Sequence, residues 1–250
     1  MTFANAATAR AAEINDFNCA GIILEEIEAD FDVDLMTSKI KTGSEKAVKL
    51  FHELAREAGT LARPKASFTV CRVETTVGPK VYLDNVSFTS QLLRDNLAGL
   101  DWAYAYVATE GNEFARWFES LSGARQVLSW PIRYAALKMA EKALVKFIKS
   151  TFNVNQLSSM NPGTLKLWPI EQQRSLFDLL DPLPESIGVS LGSECWMSPD
   201  LASSGVLFET ESRFYNCQLC PLEPCERRKK PNLGPTNGWP NPKNRFGLVA

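Results

Sequence analysis

The sequence predicts an α+β fold in which a largely antiparallel sheet is flanked by helices. Apolar and polar residues alternate on both sides of Gly78-Pro79, which indicates a β-hairpin, and helical periods dominate the middle of the chain. After a strand-like segment at 103–108, such segments return only beyond residue 187. Because strands and helices do not alternate as regular βαβ units, a parallel sheet is not expected. A cysteine-rich C-terminal loop and an extended tail complete the prediction.

Length and composition set the first limits. The chain has 250 residues, of which 45% are hydrophobic and 22% charged, as in an ordinary globular protein with one main domain. The net charge of −2 argues against a general nucleic-acid binder, and no apolar run is long enough to cross a membrane. The first ten residues do not resemble a secretory signal, so we expect a cytoplasmic, reducing setting.

Two helices are predicted before the hairpin. Residues 13–30 place apolar side chains at near-helical spacing with acids opposite, and residues 43–59 carry a longer apolar stripe that Gly59 can cap. His52, the only histidine, lies off that stripe. A lone histidine on a polar helix face is usually a solvated side chain, so a catalytic role is not favoured.

The hairpin and the segments after it follow a strand, helix, strand order. Residues 67–77 and 80–88 form its two arms. A short helix is predicted over 90–97 after an N-capping Thr89 or Ser90, and residues 103–108 read as a compact strand.

The second half is mainly helical before it returns to strands. The predicted helices cover 113–122, 131–150 and 170–180, and the predicted strands cover 188–192 and 205–210. Residues 161–163, Asn-Pro-Gly, form a turn between the last two helices, and residues 194–199 form a loop between the two strands.

A cluster of three cysteines, Cys217, Cys220 and Cys225, is the strongest chemical signal. Their C-x2-C-x4-C spacing suits sulfur coordination of zinc or of an iron–sulfur cluster. Pro221 and Pro224 prevent a regular helix or a central strand there, so we expect a folded loop. A redox-active pair, a disulfide and ordinary thiols are the alternatives.

A fourth ligand is needed to complete such a site. Cys195 is the candidate because it lies in a loop of the same late region. Cys19 and Cys71 fall in a predicted helix and strand and are more simply buried apolar thiols. The four cations Arg227–Lys230 directly follow the cluster and are either solvated surface charge or a surface that steers an acidic partner.

Several short motifs occur in an order found in a known family. They are Tyr106–Glu113, the long helix that ends near Phe147, Asn161–Gly163 followed by Trp168-Pro-Ile-Glu-Gln-Gln, Ile187–Leu191, Met197–Pro199 and Ser203–Gly205. This series resembles the activation domain of cobalamin-dependent methionine synthase over residues 65–225. It is most similar to the small stand-alone relatives of that domain that end in a cysteine-rich motif.

The resemblance implies a ligand and its binding residues. Such domains bind S-adenosylmethionine and support reductive remethylation of a corrinoid that has reached the inactive Co(II) state. The resemblance places Glu141 at the helix acid that contacts the methionine ammonium group, and Asn161 and Gly163 in the turn that meets the ligand. The chain departs from the family pattern at Ser159 and Thr164, where an arginine and a tyrosine are expected, and serine cannot supply the arginine's charge.

We expect an accessory protein of a corrinoid-dependent methyltransferase system. This expectation does not require the protein to catalyse a reaction on its own. The protein would carry an iron–sulfur cluster, bind S-adenosylmethionine and dock a partner that carries cobalamin. The alternative is a non-enzymatic partner-binding module in which zinc staples the tail. The expected organisation is an N-terminal helical segment over 1–60, an activation-like α+β domain over 61–216, and the cysteine-rich loop and basic tail over 217–250.

Overall fold

The computed structural model describes residues 21–38, 40, 44–211, 213–220, 222 and 228–232. The strands are β1 (Ile22–Leu24), β2 (Lys65–Thr75), β3 (Lys80–Leu83), β4 (Val86–Thr89), β5 (Trp102–Thr109), β6 (Leu157–Met160), β7 (Ser190–Leu191), β8 (Met197–Ser198) and β9 (Ala202–Glu209). The α-helices are α1 (Val33–Ser38), α2 (Glu45–Leu61), α3 (Gln91–Leu97), α4 (Asn112–Ser120), α5 (Gly123–Thr151), α6 (Gln173–Leu180) and α7 (Leu183–Ser186). Short 3-10 helices lie at Ile170–Gln172 and Asn216–Gln218.

The main sheet has the order β4-β3-β2-β5-β9-β6 within the described residues, and β1 adds to the other half of β2. Every pairing is antiparallel, as in the registers Phe68↔Tyr106 and Tyr106↔Gly205. The central strand β5 is buried almost from end to end. The predicted antiparallel α+β fold is therefore confirmed.

Helices cover both faces of the sheet because successive side chains of a strand point to opposite sides. On β5, Tyr104 and Tyr106 face α5, where they pack with Leu144. Ala105 and Val107 face the other layer, which contains α3 and α6. The pocket described below lies at the edge of the first layer.

Several predicted elements occur where they were expected. The helix predicted at 43–59 is α2, the one at 90–97 is α3, and the strand at 103–108 is β5. The Ser90 hydroxyl caps α3 by accepting the Leu93 N–H at 3.1 Å. The helix expected from residue 131 begins instead at Gly123 and runs through Pro131. Pro131 is solvent-exposed, so water can satisfy the carbonyl group that lacks its helical donor.

The helix predicted over 13–30 is wrong for its described part. Residues 22–24 form β1, which pairs with β2, and residues 25–32 are irregular, while residues 13–20 lie outside the described part of the chain. Gly21 approaches the neighbouring layer so closely that a Cβ would lie 2.3 Å from a Leu183 methyl group. Pairing with a strand distant in sequence thus overrides the local helical period.

The second arm of the predicted hairpin is two strands rather than one. Asp84 has a φ of +51° and turns the chain back between β3 and β4. Its carboxylate accepts the Arg72 N–H at 2.8 Å, which fixes the turn against β2. An aspartate in this conformation is uncommon and can hydrogen-bond locally, which explains how a sequence with strand-like alternation contains a turn.

The late region also differs from its prediction. The predicted strand at 188–192 shrinks to β7, which pairs with β8 in a separate two-stranded sheet, and β8 lies inside the predicted loop 194–199. The strand predicted at 205–210 is the longer β9, whereas β6 was not predicted at all. No described helix is long and apolar enough to cross a membrane.

A buried ion pair connects α5 to the loop after β5. The Arg133 guanidinium donates through Nε to both carboxylate oxygens of Glu110, at 2.8 and 2.9 Å. It also donates to Asp200 at 2.7 Å and lies 4.1 Å from the centre of the Phe118 ring. Both members of the pair are shielded from solvent, so the contact joins elements without offering charge to a ligand.

Candidate functional site

The candidate site is an open pocket of about 430 Å³ at the edge of the sheet. Its floor comes from β5, β6 and β9, one wall comes from α5, and the other wall comes from the chain after β9. Three residues singled out in the sequence, Glu141, Asn161 and Cys217, line this one pocket. The structure therefore brings the ligand residues predicted by resemblance next to the start of the cysteine motif.

The floor is organised by a hydrogen-bond network around Asn161. The Asn161 carboxamide nitrogen donates to the Tyr106 hydroxyl at 2.8 Å and to the Ser204 carbonyl at 2.7 Å. The Tyr106 hydroxyl is also 3.3 Å from the Ser203 hydroxyl. With its nitrogen engaged twice, Asn161 retains its carboxamide oxygen as the acceptor for a bound molecule.

Tyr106 is a neutral phenol in this setting. Burial raises the pKa of Tyr106 well above its ordinary value, and the negative charge of Glu141 raises it further. The hydroxyl therefore remains protonated and supports Asn161.

The α5 wall carries the predicted acid, Glu141, in an ion pair with Lys138 one turn earlier. Glu141 is three-quarters buried, so it is more than a solvated helix residue. Burial lowers the pKa of Lys138, but the Glu141 carboxylate outweighs that effect and the pKa is raised. The pair is charged and faces the pocket.

Gly163 belongs to the turn beside the pocket but not to its lining. Its φ is +77°, and an added Cβ would lie 2.7 Å from the end of the Ile170 side chain. Its N–H donates to the Trp168 carbonyl at 2.8 Å. Glycine is required here for the turn and for close packing, and its amide already has a partner.

The two positions that depart from the family pattern are placed differently. Ser159 lies on β6 and lines the pocket, whereas Thr164 follows the turn outside the lining. The Thr164 N–H donates to the Asn161 carbonyl at 3.3 Å, which closes the turn. The pocket floor therefore has an uncharged serine where the resemblance implies an arginine, and position 164, where it implies a tyrosine, lies outside the lining.

The second wall is the segment from Arg213 to Cys217. The Phe214 N–H donates to the Ser158 hydroxyl at 2.7 Å, which ties this segment to β6. The Tyr215 N–H donates to the Gln218 side-chain oxygen at 3.1 Å, at the start of the 3-10 helix that contains Cys217. The beginning of the cysteine motif is thus fixed relative to the pocket floor.

The Arg228 guanidinium group binds backbone carbonyls in the described part of the cysteine loop. It donates to the Cys217 carbonyl at 2.8 Å, to the Cys220 carbonyl at 3.2 Å and to the Leu222 carbonyl. The Lys229 N–H donates to the Cys217 sulfur at 3.4 Å. Arg228 is therefore a structural part of the loop, although the sequence suggested only a surface or steering charge.

The fourth proposed ligand, Cys195, is buried in the turn between β7 and β8 with a φ of +61°. Among the described residues, no three histidine, cysteine, aspartate or glutamate side chains are grouped closely enough to hold a metal ion. Cys225 lies outside those residues, as does Cys19. The shared metal centre consequently stays a prediction. Cys71 is a fully buried thiol whose pKa burial raises, as expected of an apolar cysteine.

Comparison with known proteins gives a structural match. No protein-family profile and no curated protein matches the chain. A solved structure of the MetH reactivation domain bound to AdoHcy aligns with a TM-score of 0.54 and 14% sequence identity, over 78% of this chain and 80% of that domain.

The chain is similar in fold to the MetH reactivation domain. This similarity confirms the resemblance that the motif order suggested, at an identity low enough that it shows the fold alone. The ligand in the matched structure, AdoHcy (S-adenosylhomocysteine), belongs to that domain.

Sequence reasoning missed four residues of this pocket. Lys138, Arg213 and Lys229 line it, and Tyr106 supports Asn161. A tyrosine among small apolar residues of a central strand was the one available signal, because a buried hydroxyl needs a partner. Nothing in the sequence placed the other three on the same cavity, since they come from segments far apart in the chain.

Proposed function

We propose that the protein is an accessory factor of a corrinoid-dependent methyltransferase system that supports reductive reactivation of the corrinoid. One observation carries the proposal: Glu141, Asn161 and Cys217 line a single pocket on a fold similar to the MetH reactivation domain. The pocket would bring a methyl donor and the cysteine loop to the same edge of the sheet. A corrinoid protein would dock over that edge.

The pocket residues suit S-adenosylmethionine and S-adenosylhomocysteine. The cavity volume of about 430 Å³ lies in the usual range for small-molecule sites. Glu141 would accept a hydrogen bond from the ammonium group of the ligand, and the Asn161 oxygen would accept a hydrogen bond from a second donor group. Tyr106 would hold Asn161 in place through the 2.8 Å hydrogen bond.

The cysteine loop suits an inorganic centre formed by Cys217, Cys220 and Cys225, with Cys195 as the proposed fourth ligand. The Lys229 N–H donates to the Cys217 sulfur at 3.4 Å, which positions that side chain at the pocket. Cys217, Cys220 and Cys225 would hold an iron–sulfur cluster, and such a cluster would supply one-electron transfer between an external donor and the corrinoid of a docked partner. The chain's own part is to hold the thiolates close to the pocket.

Anaerobic purification with iron, sulfide and zinc analysis tests the cysteine loop. A brown protein that contains iron and sulfide supports the electron-transfer role. A colourless protein with one zinc per chain supports the alternative, a binding module stapled by zinc. Single Cys→Ser variants at 217, 220 and 225 should each lose the metal, with Cys71→Ser as the matched control that retains it.

Calorimetry with S-adenosylhomocysteine and S-adenosylmethionine tests the pocket. Saturable binding by the intact protein is the expected result. If neither compound binds at millimolar concentration, the proposed ligand class is wrong. A second assay should follow cob(II)alamin loss in a corrinoid protein supplied with a one-electron donor and the methyl donor, with and without this protein.

A further inference from the structure

We infer that Arg213, on the segment after β9, binds the carboxylate of the pocket's ligand and so replaces the arginine missing at Ser159. The inference deepens the proposed function and rests on it for the identity of the ligand. It concerns a residue outside the motifs that carry the family resemblance.

The charge balance of the pocket points to an anionic group. Its described lining contains four cations, Lys138, Lys142, Arg213 and Lys229, and one carboxylate, Glu141. The ion pair between Lys138 and Glu141 cancels one cation, which leaves three without an acid in the lining. A cavity lined by one sign of charge concentrates ions of the opposite sign. The carboxylate of a ligand would balance this excess of positive charge.

The backbone places Arg213 beside β6, the strand that carries Ser159, and both residues line the pocket. The Thr210 N–H donates to the Gln156 carbonyl at 3.1 Å, and the Phe214 N–H donates to the Ser158 hydroxyl at 2.7 Å. The segment after β9 therefore runs alongside β6 in space. Arg213 comes directly before Phe214, the residue that is bonded to Ser158. A guanidinium from this neighbouring segment can serve the site that an arginine at 159 would serve.

Arginine fits this role better than the two lysines. Its planar group can bind both oxygens of a carboxylate, whereas a lysine ammonium acts as a point charge. The Arg213 guanidinium lies 5.4 Å from the centre of the Tyr215 ring, which restricts its position beside the pocket. Glu141 is on the opposite wall, so the two residues could bind the two ends of an amino-acid group.

The test compares three probes that share parts of one ligand. S-adenosylhomocysteine contains the nucleoside and the amino-acid group, methylthioadenosine lacks the amino-acid group, and L-methionine lacks the nucleoside. Arg213→Gln should weaken S-adenosylhomocysteine and L-methionine binding about 10- to 100-fold, the usual effect of a charged hydrogen bond. Methylthioadenosine binding should not change, and Arg213→Lys should restore part of the loss. The exposed Arg116 on α4 supplies the control variant Arg116→Gln.

The outcomes separate this inference from the proposed function. Equal weakening of all probes in Arg213→Gln would make Arg213 a structural residue and overturn the inference alone, as would unchanged S-adenosylhomocysteine affinity. L-methionine binding that depends on Arg213, without S-adenosylhomocysteine binding, would reject the proposed ligand and keep the carboxylate site. If none of the probes binds the intact protein, both are wrong.

Discussion

Two ion pairs on the same helix have different environments. Arg133 and Lys138 are five residues apart on α5, and each is paired with a glutamate. The Arg133–Glu110 side chains are 1% and 0% exposed, whereas those of Lys138 and Glu141 are 41% and 25% exposed. The difference in burial separates a pair that is enclosed by the fold from a pair that remains accessible to solvent and to a ligand.

The buried pair is maintained against a large desolvation cost. Burial raises the pKa of Glu110 to about 7, although the hydrogen bonds and charge of Arg133 lower it. Replacing such a pair by apolar side chains is often neutral, while removing one member leaves a buried charge. The role of this pair is therefore to specify how α5 and the loop after β5 meet.

The pocket pair has a smaller desolvation cost because both of its side chains are partly exposed. Partly exposed ion pairs contribute about 0–1 kcal/mol to stability, so the proposed exchange of Lys138 for a ligand ammonium group would not unfold the helix. The charged residues on the opposite wall, Arg213 and Lys229, are also exposed. The edge of the sheet thus keeps its charges accessible.

The largest predicted effect is on stability when the buried pair is broken. Arg133→Met should lower the free energy of unfolding by about 3–5 kcal/mol at pH 8, because Glu110 remains buried without its partner. Denaturant unfolding measures this, with Arg116→Met in the exposed pair with Glu113 as the control. A loss below about 1 kcal/mol would contradict the contrast between the two pairs.

The pH dependence sharpens this prediction. A Glu110 pKa raised above its unfolded value means that the folded state binds the extra proton, so the carboxyl contributes stability below about pH 4.5 that is lost as the pH rises through the folded pKa. Without Arg133 the folded pKa rises further. The Arg133→Met defect should therefore be smaller at pH 5 than at pH 8, and Glu110→Gln in the same chain should remove that difference.

The next largest effect is on ligand affinity. Glu141→Gln should weaken S-adenosylhomocysteine binding by about 1.5–3 kcal/mol, the usual worth of a hydrogen bond to a charged group, and change stability by less than about 1 kcal/mol. Lys138→Met is the matched variant, because it releases Glu141 from its present partner. Calorimetry should show affinity that is maintained or improved in Lys138→Met. Equal losses of affinity in both variants would mean that Lys138 and Glu141 contribute to binding only as an intact ion pair.

A third prediction separates the half-buried cation Arg228 from the exposed cation Lys230, both beside the cysteine loop. Arg228→Met removes hydrogen bonds to the carbonyls of Cys217 and Cys220, each worth about 1–3 kcal/mol, and should reduce metal retention. Lys230 is exposed, and Lys230→Met should leave the metal content unchanged. Metal analysis after matched dialysis measures both. For this reason, charge reversal that tests docking of a corrinoid protein should use Lys230 and not Arg228.

The smallest predicted effect concerns the pocket floor. Tyr106→Phe removes one hydrogen bond from Asn161 and should weaken ligand binding by about 0.5–1.5 kcal/mol. Asn161 retains its bond to the Ser204 carbonyl, so the fold should be unaffected. Asn161→Ala, which removes both side-chain hydrogen bonds of Asn161, is the comparison variant and should cause a larger loss of affinity. A larger loss in Tyr106→Phe would instead indicate that the tyrosine contacts the ligand directly.

Elements with a strong local pattern could be predicted from the sequence. The apolar stripe of α2, the Ser90 cap of α3 and the compact strand β5 each occur where the pattern placed them. The order of short motifs also identified the fold that the structural match confirms. The pocket residues Glu141 and Asn161 came from the same motifs.

The tertiary structure decided the features that depend on distant segments. The strand β1 replaces a helical period because β2 offers it a free edge, and the Asp84 turn depends on an N–H from β2. The same applies to Arg228, which donates hydrogen bonds to loop carbonyls. It also applies to Arg213, whose position follows from the hydrogen bond between the neighbouring Phe214 N–H and Ser158. Periodicity reports only which side of an element faces the core. Partners that are brought together by folding leave no local pattern. The sequence alone therefore determined the framework, while packing set the charge arrangement of the pocket.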